Sequence, residues 1–395
     1  MEIRFPMWLR VVDRPGANVF AILSATEAFS RALIAGIIPL EAYALLESAR
    51  NVSIAYTVIG VVALLASFAV PLVIRAVRRK WVFSAGCLFM VVAPLLMLAG
   101  AAMPFVAALQ FRALAVVCVN ISLNLYILDY IRRKDFVTAE PRRLAFMGVA
   151  WFVGPGLGIW LYKTVGLLAV CVPSAGFAVL ALAYFWLLRM QENPAVAPAT
   201  RKPPMPWHNI RRFALQPRLR LAWVIPFARS AFWTTFFVYP PLYIVKTGGD
   251  EMLAAAMLSG GQGILFLAPV AGRLGARYGI RRMIVGALLF TGGLSILAGV
   301  TQPAPLVLAG IFFVACLGSV TLDALGNIPF LRSVHPYERS EMTSVFRTYI
   351  EMSQLLPAAI YAGLLLVLPI GSVFVALGVL MVGTAGLATY LPRRL

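Results

Sequence analysis

Twelve apolar stretches, each roughly 17 to 25 residues long, fill almost the whole of this 395-residue chain. A bilayer core about 30 Å thick is crossed by about 20 residues of α-helix at 1.5 Å each. Inside lipid every backbone N–H and C=O must find a partner within the chain, so repeated apolar runs of this length have to be helices. The runs lie near 17–40, 53–73, 81–101, 104–128, 143–162, 165–188, 221–244, 252–271, 283–301, 304–328, 341–367 and 371–391. The expected fold is therefore all-α, a membrane protein of 12 transmembrane helices. Hydrophobic residues make up 61% of the chain and charged residues 12%, about half the share of a soluble domain.

The net charge of +19 could point to nucleic acid, but its distribution points to a bilayer. Arg50, Lys163 and Lys246 fall on one side of the spans, and Arg31, Arg112, Arg229 and Arg347 fall inside them. The other 27 of the 34 basic residues fall on the opposite side. That bias places both termini in the cytosol and orients the protein in a plasma membrane, the bacterial inner membrane being the expected one. The basic face suits lipid headgroups, and no nucleic-acid partner is expected.

Cys87, Cys118, Cys171 and Cys316 all sit within apolar runs, and no CxxC occurs. His208 and His335 have no neighbours at metal-ligand spacing. No metal, cofactor or catalytic group is expected. The first run is too long for a signal-peptide core and reads as the first span.

Residues 189–220, rich in Pro and Arg, cannot span and separate six runs from six. The expected organisation is an N-terminal six-helix bundle at 1–188, a cytosolic linker at 189–220, and a C-terminal six-helix bundle at 221–395. An offset of 202 residues aligns Leu72, Arg75, Arg79 and Lys80 with Leu274, Arg277, Arg281 and Arg282. It also aligns Pro155 with Pro357 and Glu27 with Arg229, which argues for a parallel duplication.

The segment Gly272-Arg-Leu-Gly-Ala-Arg-Tyr-Gly-Ile-Arg-Arg282 resembles the cytosolic loop motif of the major facilitator superfamily, G-x-L-a-D-R-x-G-x-R-[RK]. Gly272, Leu274, Arg277, Gly279, Arg281 and Arg282 match, while Ala276 replaces the expected Asp. The copy in the first half keeps Arg75, Arg79 and Lys80 but loses both glycines. The six-plus-six layout extends the resemblance over the whole chain. In that family helices one, four, seven and ten line the central path, with two, five, eight and eleven beside them. The resemblance also implies that the end of helix four, at Asp129, approaches the loop after helix two, where Arg75 or Arg79 could pair with it. A solvated helix end is the alternative.

A narrower similarity is carried by Gly154-Pro155-Gly156-Leu157-Gly158, which resembles the G-P-x-x-G-G motif of proton-driven exporters. A helix-five hinge at Gly154, Pro155 and Gly158 is the functional reading. A kink with close small-residue packing is the structural one. Arg112 sits where many proton-coupled members carry an Arg, although Ala115 and Val116 replace the following Gln-Gly.

A charge at bilayer depth costs at least about 2.5 to 3.5 kcal/mol, so each marks a functional position. Glu27 and Arg31 stand at i, i+4 in the favourable order. They are either a structural ion pair or the group that takes up and releases a proton, with Arg112 and Glu351 completing the proton-coupling set. Asn120, Asn124, Arg229, Trp233, Gln262 and Asn327 are expected to line a substrate cavity. Trp233 beside Arg229 could hold a ligand or stack on the guanidinium. Asp323 is expected to pair with Arg229 or with Arg347 of helix eleven as a cytosolic gate. Helices three, six, nine and twelve carry no interior charge, as lipid-facing helices should.

No HExxH, GxSxG or P-loop lies near a membrane face, so an enzyme is not expected. No pore loop suggests a channel. The expected protein is a monomeric secondary transporter, moving small molecules and protons by alternating access. Proton-coupled export is the leading expectation. Uptake or exchange of an organic anion, favoured by the arginine majority, is the runner-up. A non-transporting or lipid-moving protein of the same fold is the remaining alternative.

Overall fold

A computed structural model describes residues 17–130, 136–188, 206–334, 342 and 345–392. The side chains of Arg75 and Asp129 lie outside the described part, as does the 131–135 loop. The first span is two helices, α1 (Ala17–Ala35) and α2 (Ile38–Leu46), joined at Gly36 and Ile37. Then follow α3 (Ala49–Ala76), α4 (Arg79–Met97), α5 (Ala102–Tyr130), α6 (Phe136–Thr164) and α7 (Leu168–Leu187). A short helix, α8 (Pro206–Leu215), ends the linker, and α9 (Pro217–Lys246) starts earlier than the apolar run at 221. The eighth span is α10 (Glu251–Gly263), a 3₁₀ turn at Ile264–Leu267, and α11 (Ala268–Tyr278). The remainder is α12 (Ile280–Thr301), α13 (Pro305–Leu325), α14 (Ile328–Ser333), α15 (Tyr349–Leu364) and α16 (Gly371–Ala388).

Among the described residues eleven helices are long and apolar enough to cross a membrane. The run expected at 341–367 is instead represented by the 16-residue α15, about 24 Å long at 1.5 Å per residue. A turn at Arg347 and Thr348 precedes it, so Arg347 is exposed and not inside a helix as expected. Glu351 consequently stands in the first turn of α15 and not at the middle of a longer helix.

Local chemistry accounts for several ends. Ser48 caps α3 by accepting from the Asn51 N–H at 3.1 Å, and Asp250 caps α10 by accepting from the Met252 N–H at 3.1 Å. Gly279, at φ +94°, turns the chain from α11 into α12, a conformation that excludes most side chains. Two breaks departed from the sequence expectation. The first span bends at Gly36–Ile37 before Pro39, and the eighth tightens to 3₁₀ after Gly260-Gly261-Gln262-Gly263 and before Pro269.

Helices α1 to α7 pack chiefly on one another, as do α9 to α16. Small residues let backbones approach: a Cβ on Gly299 would stand 2.5 Å from the Gly371 oxygen, which brings α12 against α16. Large apolar side chains such as Leu65, Leu180, Leu187 and Val379 point outward, which lipid tolerates and water would not. The two sets meet along α3 with α15, α6 with α10, and α2 with α9. Among the described residues, the hydrogen bond and ion pair that cross between them are Ser53–Tyr239 at 2.7 Å and Lys163–Asp250. Both lie on the charge-poor face of the protein.

Candidate functional site in the membrane interior

Two largely enclosed ion pairs stand within the spans, one in each set. In α1, Arg31 donates from Nη2 to Glu27 Oε2 at 2.9 Å, and its Nε stands 2.6 Å from Oε1. Glu27 is 2% exposed, so one hydrogen bond and the close ion pair together offset a desolvation that neither group could bear alone. The Arg31 guanidinium lies over the Trp151 ring of α6, 5.6 Å from its centroid. Trp151 in turn packs edge-on to Phe237 of α9 at 5.4 Å. A charge of the first set thus touches the second through one indole.

In the second set, Asp323 of α13 pairs with Arg229 of α9 at 3.2 Å and accepts from Trp233 Nε1 at 2.9 Å. Arg229 also donates to the Tyr349 hydroxyl of α15 at 3.0 Å, with its guanidinium 5.5 Å from that ring's centroid. Of the two partners expected for Asp323, the structure brings Arg229 and leaves Arg347 exposed on its turn. All of Arg229, Trp233, Asp323 and Tyr349 belong to the C-terminal set, so in this conformation the pair ties α9 to α13 and bridges nothing between sets. Trp233 holds the carboxylate and does not stack on Arg229. Asn327, one turn beyond Asp323, lies between α13 and α14, and its buried Oδ1 has no partner.

Arg112 of α5 makes no hydrogen bond, and its buried Nε is unpartnered. Its strongest electrostatic neighbour is Tyr56 of α3, followed by Arg31 and Glu27. Glu351 likewise has a buried oxygen, Oε2, without a partner. Asn120 and Asn124 are half-buried one turn apart on α5. Gln262 is 5% exposed at the end of α10, beside the 3₁₀ break.

Gly154, Pro155 and Gly158 of the helix-five motif are buried in packing, while Leu157 points outward. Helix α6 is continuous through Pro155. A Cβ on Gly154 would stand 2.4 Å from Ala32 Cβ, and one on Gly158 would stand 1.8 Å from the Leu33 oxygen. These two glycines seat α6 on α1, the helix that carries Glu27 and Arg31. Gly156 faces the other set, 2.6 Å from Ser259 Oγ by the same construction.

In the loop motif, Gly279 needs its positive φ, whereas a Cβ on Gly272 would meet nothing within 4 Å. Arg277 lies over Tyr278 at 5.4 Å, Arg281 is half-buried at the start of α12, and Arg79 lies over Tyr126 at 5.2 Å. The Asp129–Arg75 pairing falls outside the described side chains.

Sequence reasoning missed Trp151, Tyr349, Ser53–Tyr239 and the Lys163–Asp250 ion pair between the two sets. The Lys163 ammonium is the main reason the Asp250 carboxyl is held below its ordinary range, with the Met252 N–H second. Asp250 is exposed, so the pair contributes little alone. Exchanging the charges one at a time (Lys163→Asp, Asp250→Lys) should raise labelling of a cysteine at position 53 by an impermeant maleimide. The double exchange should restore the parent rate. Unchanged labelling in both single variants would show that the pair does not restrict access to position 53.

The sequence pattern of the Major Facilitator Superfamily matches residues 20–356. No curated protein matches the chain in sequence. The fold is similar to a POT family transporter solved in complex with 5-aminolevulinic acid, with TM-score 0.77 at 12% identity over 96% of both chains. It is also similar to the nucleoside transporter NupG, with TM-score 0.71 at 13% identity over 95% of this chain and 98% of that one. A D-xylose-proton symporter gives 0.70 at 12% identity over 96% and 98%. With the match running from α1 into α15, the chain belongs to the Major Facilitator Superfamily.

Proposed function

We propose that the protein is a secondary active transporter that couples protons to a small organic molecule by alternating access. In this reading twelve spans form two six-helix bundles, at 1–188 and 221–395, that rock about a midplane site. The basic loops and both termini face the cytosol of a bacterial inner membrane, and the monomer is the working unit. The observation that carries the reading is the Glu27–Arg31 pair, held by Trp151 against Phe237 of the other set. Movement of the opposite bundle would shift Trp151 and loosen Arg31 from the Glu27 carboxylate, the group this reading assigns to proton exchange. The D-xylose-proton symporter of similar fold is a precedent for proton coupling on this scaffold.

Export is the direction we propose, on the resemblance at 154–158. Uptake or exchange of an organic anion is the second reading, and the unpartnered Arg112 favours it. The test is transport in proteoliposomes under pH gradients of either sense, using ligands from a thermal-shift screen. Accumulation that a protonophore abolishes is expected. Acid-inside accumulation means exchange against protons, and acid-outside accumulation means symport. Equilibration without accumulation under both gradients would remove proton coupling.

A further inference from the structure

The first turn of α4 and the last turn of α7 bring two tryptophans together on the basic face of the protein. Trp81 and Trp186 stand edge to face, their ring centroids 5.5 Å apart. Both are exposed, at 52% and 43%, where large aromatics are usually covered. The Lys80 ammonium lies over both rings, 5.6 Å from the Trp81 centroid and 5.8 Å from that of Trp186. The Trp186 N–H donates to Ser84 Oγ at 3.0 Å, and that hydroxyl donates onward to the Lys80 carbonyl at 2.8 Å. One indole is thus tied to the turn that carries the lysine. Among the described residues Lys80 makes no ion pair, and the Trp81 N–H donates to none of them.

Two ordinary demands account for part of this. Lysine and arginine on that face set the orientation of the chain, and tryptophan is common where a span leaves the hydrocarbon. Neither demand centres a lysine on a tied pair of tryptophans. The internal duplication supplies the comparison. Its offset of 202 residues brings Lys80 onto Arg282, but it brings Trp81, Ser84 and Trp186 onto Met283, Gly286 and Ala388. The second half repeats the charge and lacks the aromatic pair, so topology explains the charge and leaves the pair unexplained.

We infer that Lys80, Trp81 and Trp186 form a binding site for the headgroup of an anionic phospholipid. The phosphodiester accepts from the Lys80 ammonium and from the Trp81 N–H, while the indole faces pack along the glycerol and the upper acyl chain. Leu88, Val92 and Leu95 continue outward from Trp81 along one face of α4, a path for that chain. A tryptophan pair can also take the quaternary ammonium of a choline headgroup. Here the resident lysine lies over both rings and repels a second cation, so a headgroup of net negative charge fits and a zwitterionic one does not. The site requires a bilayer and is independent of what the protein transports.

The test is quenching of tryptophan emission by dibrominated phosphatidylglycerol, with the purified full-length protein in dioleoylphosphatidylcholine vesicles. The part of the emission that Trp81→Phe/Trp186→Phe removes is the signal of the site. Half-quenching of that part should need about fivefold less dibrominated phosphatidylglycerol than dibrominated phosphatidylcholine, the effect of one lysine at a lipid surface. Lys80→Gln should bring the two lipids level, and Lys80→Arg should keep the preference. Arg282→Gln removes a charge from the same face and should leave the preference unchanged. Millimolar inorganic phosphate should not relieve the quenching; relief would assign the site to free phosphate and overturn the lipid. Equal quenching by the two lipids in the parent would also overturn the site, as would a preference that survives Lys80→Gln. An equal loss in Arg282→Gln would reduce the effect to the general surface potential of the basic face. Should Lys80→Gln fail to fold, the parent decides alone, through the lipid comparison and the phosphate competition.

Discussion

Glu27→Gln should abolish gradient-driven accumulation while leaving substrate binding and counterflow exchange measurable. A neutral amide keeps the size of the side chain but cannot cycle a proton. The same change orphans Arg31, whose remaining contact is the Trp151 ring. Breaking a buried pair from one side costs about 3 to 5 kcal/mol, so the single variant should also melt at a lower temperature. The double variant Glu27→Gln/Arg31→Gln removes both charges and should recover most of that stability without recovering accumulation. This separation is the point of the experiment. If Glu27 were only structural, stability and accumulation would return together. If the single variant accumulates substrate at the parent's level, Glu27 plays no part in coupling.

Gly158→Ala should be the most damaging single methyl group that can be added to the described interior. The added Cβ would stand 1.8 Å from the Leu33 oxygen, backbone that cannot step aside as a side chain could. Either α6 withdraws from α1 or the helices deform, at a cost of about 3 kcal/mol or more. Expression of folded protein should fall sharply, and any that is recovered should melt well below the parent. Gly272→Ala, whose new methyl meets nothing within 4 Å, is the matched control and should lie within about 0.5 kcal/mol. A Gly158→Ala protein with parental stability would show that the α1–α6 approach is looser than described. It would also return the motif to the hinge role expected from its resemblance.

Eleven of the twelve expected spans, and their order, were legible because lipid imposes one rule on every residue of a helix. The Glu27–Arg31 pair was legible too, since i, i+4 spacing is a property of the helix itself. The partner of Asp323 was not. Arg229 lies 94 positions earlier, and nothing in either helix's own pattern chooses it over Arg347, four residues before Glu351. The turn at 347–348, which exposes Arg347, interrupts an apolar run that gives no sign of ending there. The breaks at Gly36–Ile37 and at the 3₁₀ turn had local signals in glycine and proline, but membrane helices carry both residues without breaking. Trp151 and Tyr349 could not be singled out among many aromatics, because lipid-facing positions use the same residues. What distinguishes them is the cation each one touches, a fact of tertiary packing.

The central claim is that the two sets of helices exchange which face they close. Spin labels at positions 50 and 246 report the charge-poor face, and labels at 78 and 282 report the basic face; all four residues are exposed. Distances measured by double electron–electron resonance, across pH and with ligand, should change reciprocally: the 50–246 distance lengthens as the 78–282 distance shortens. Single narrow distributions at both faces, unmoved by pH or ligand, would contradict alternating access and describe a static membrane protein.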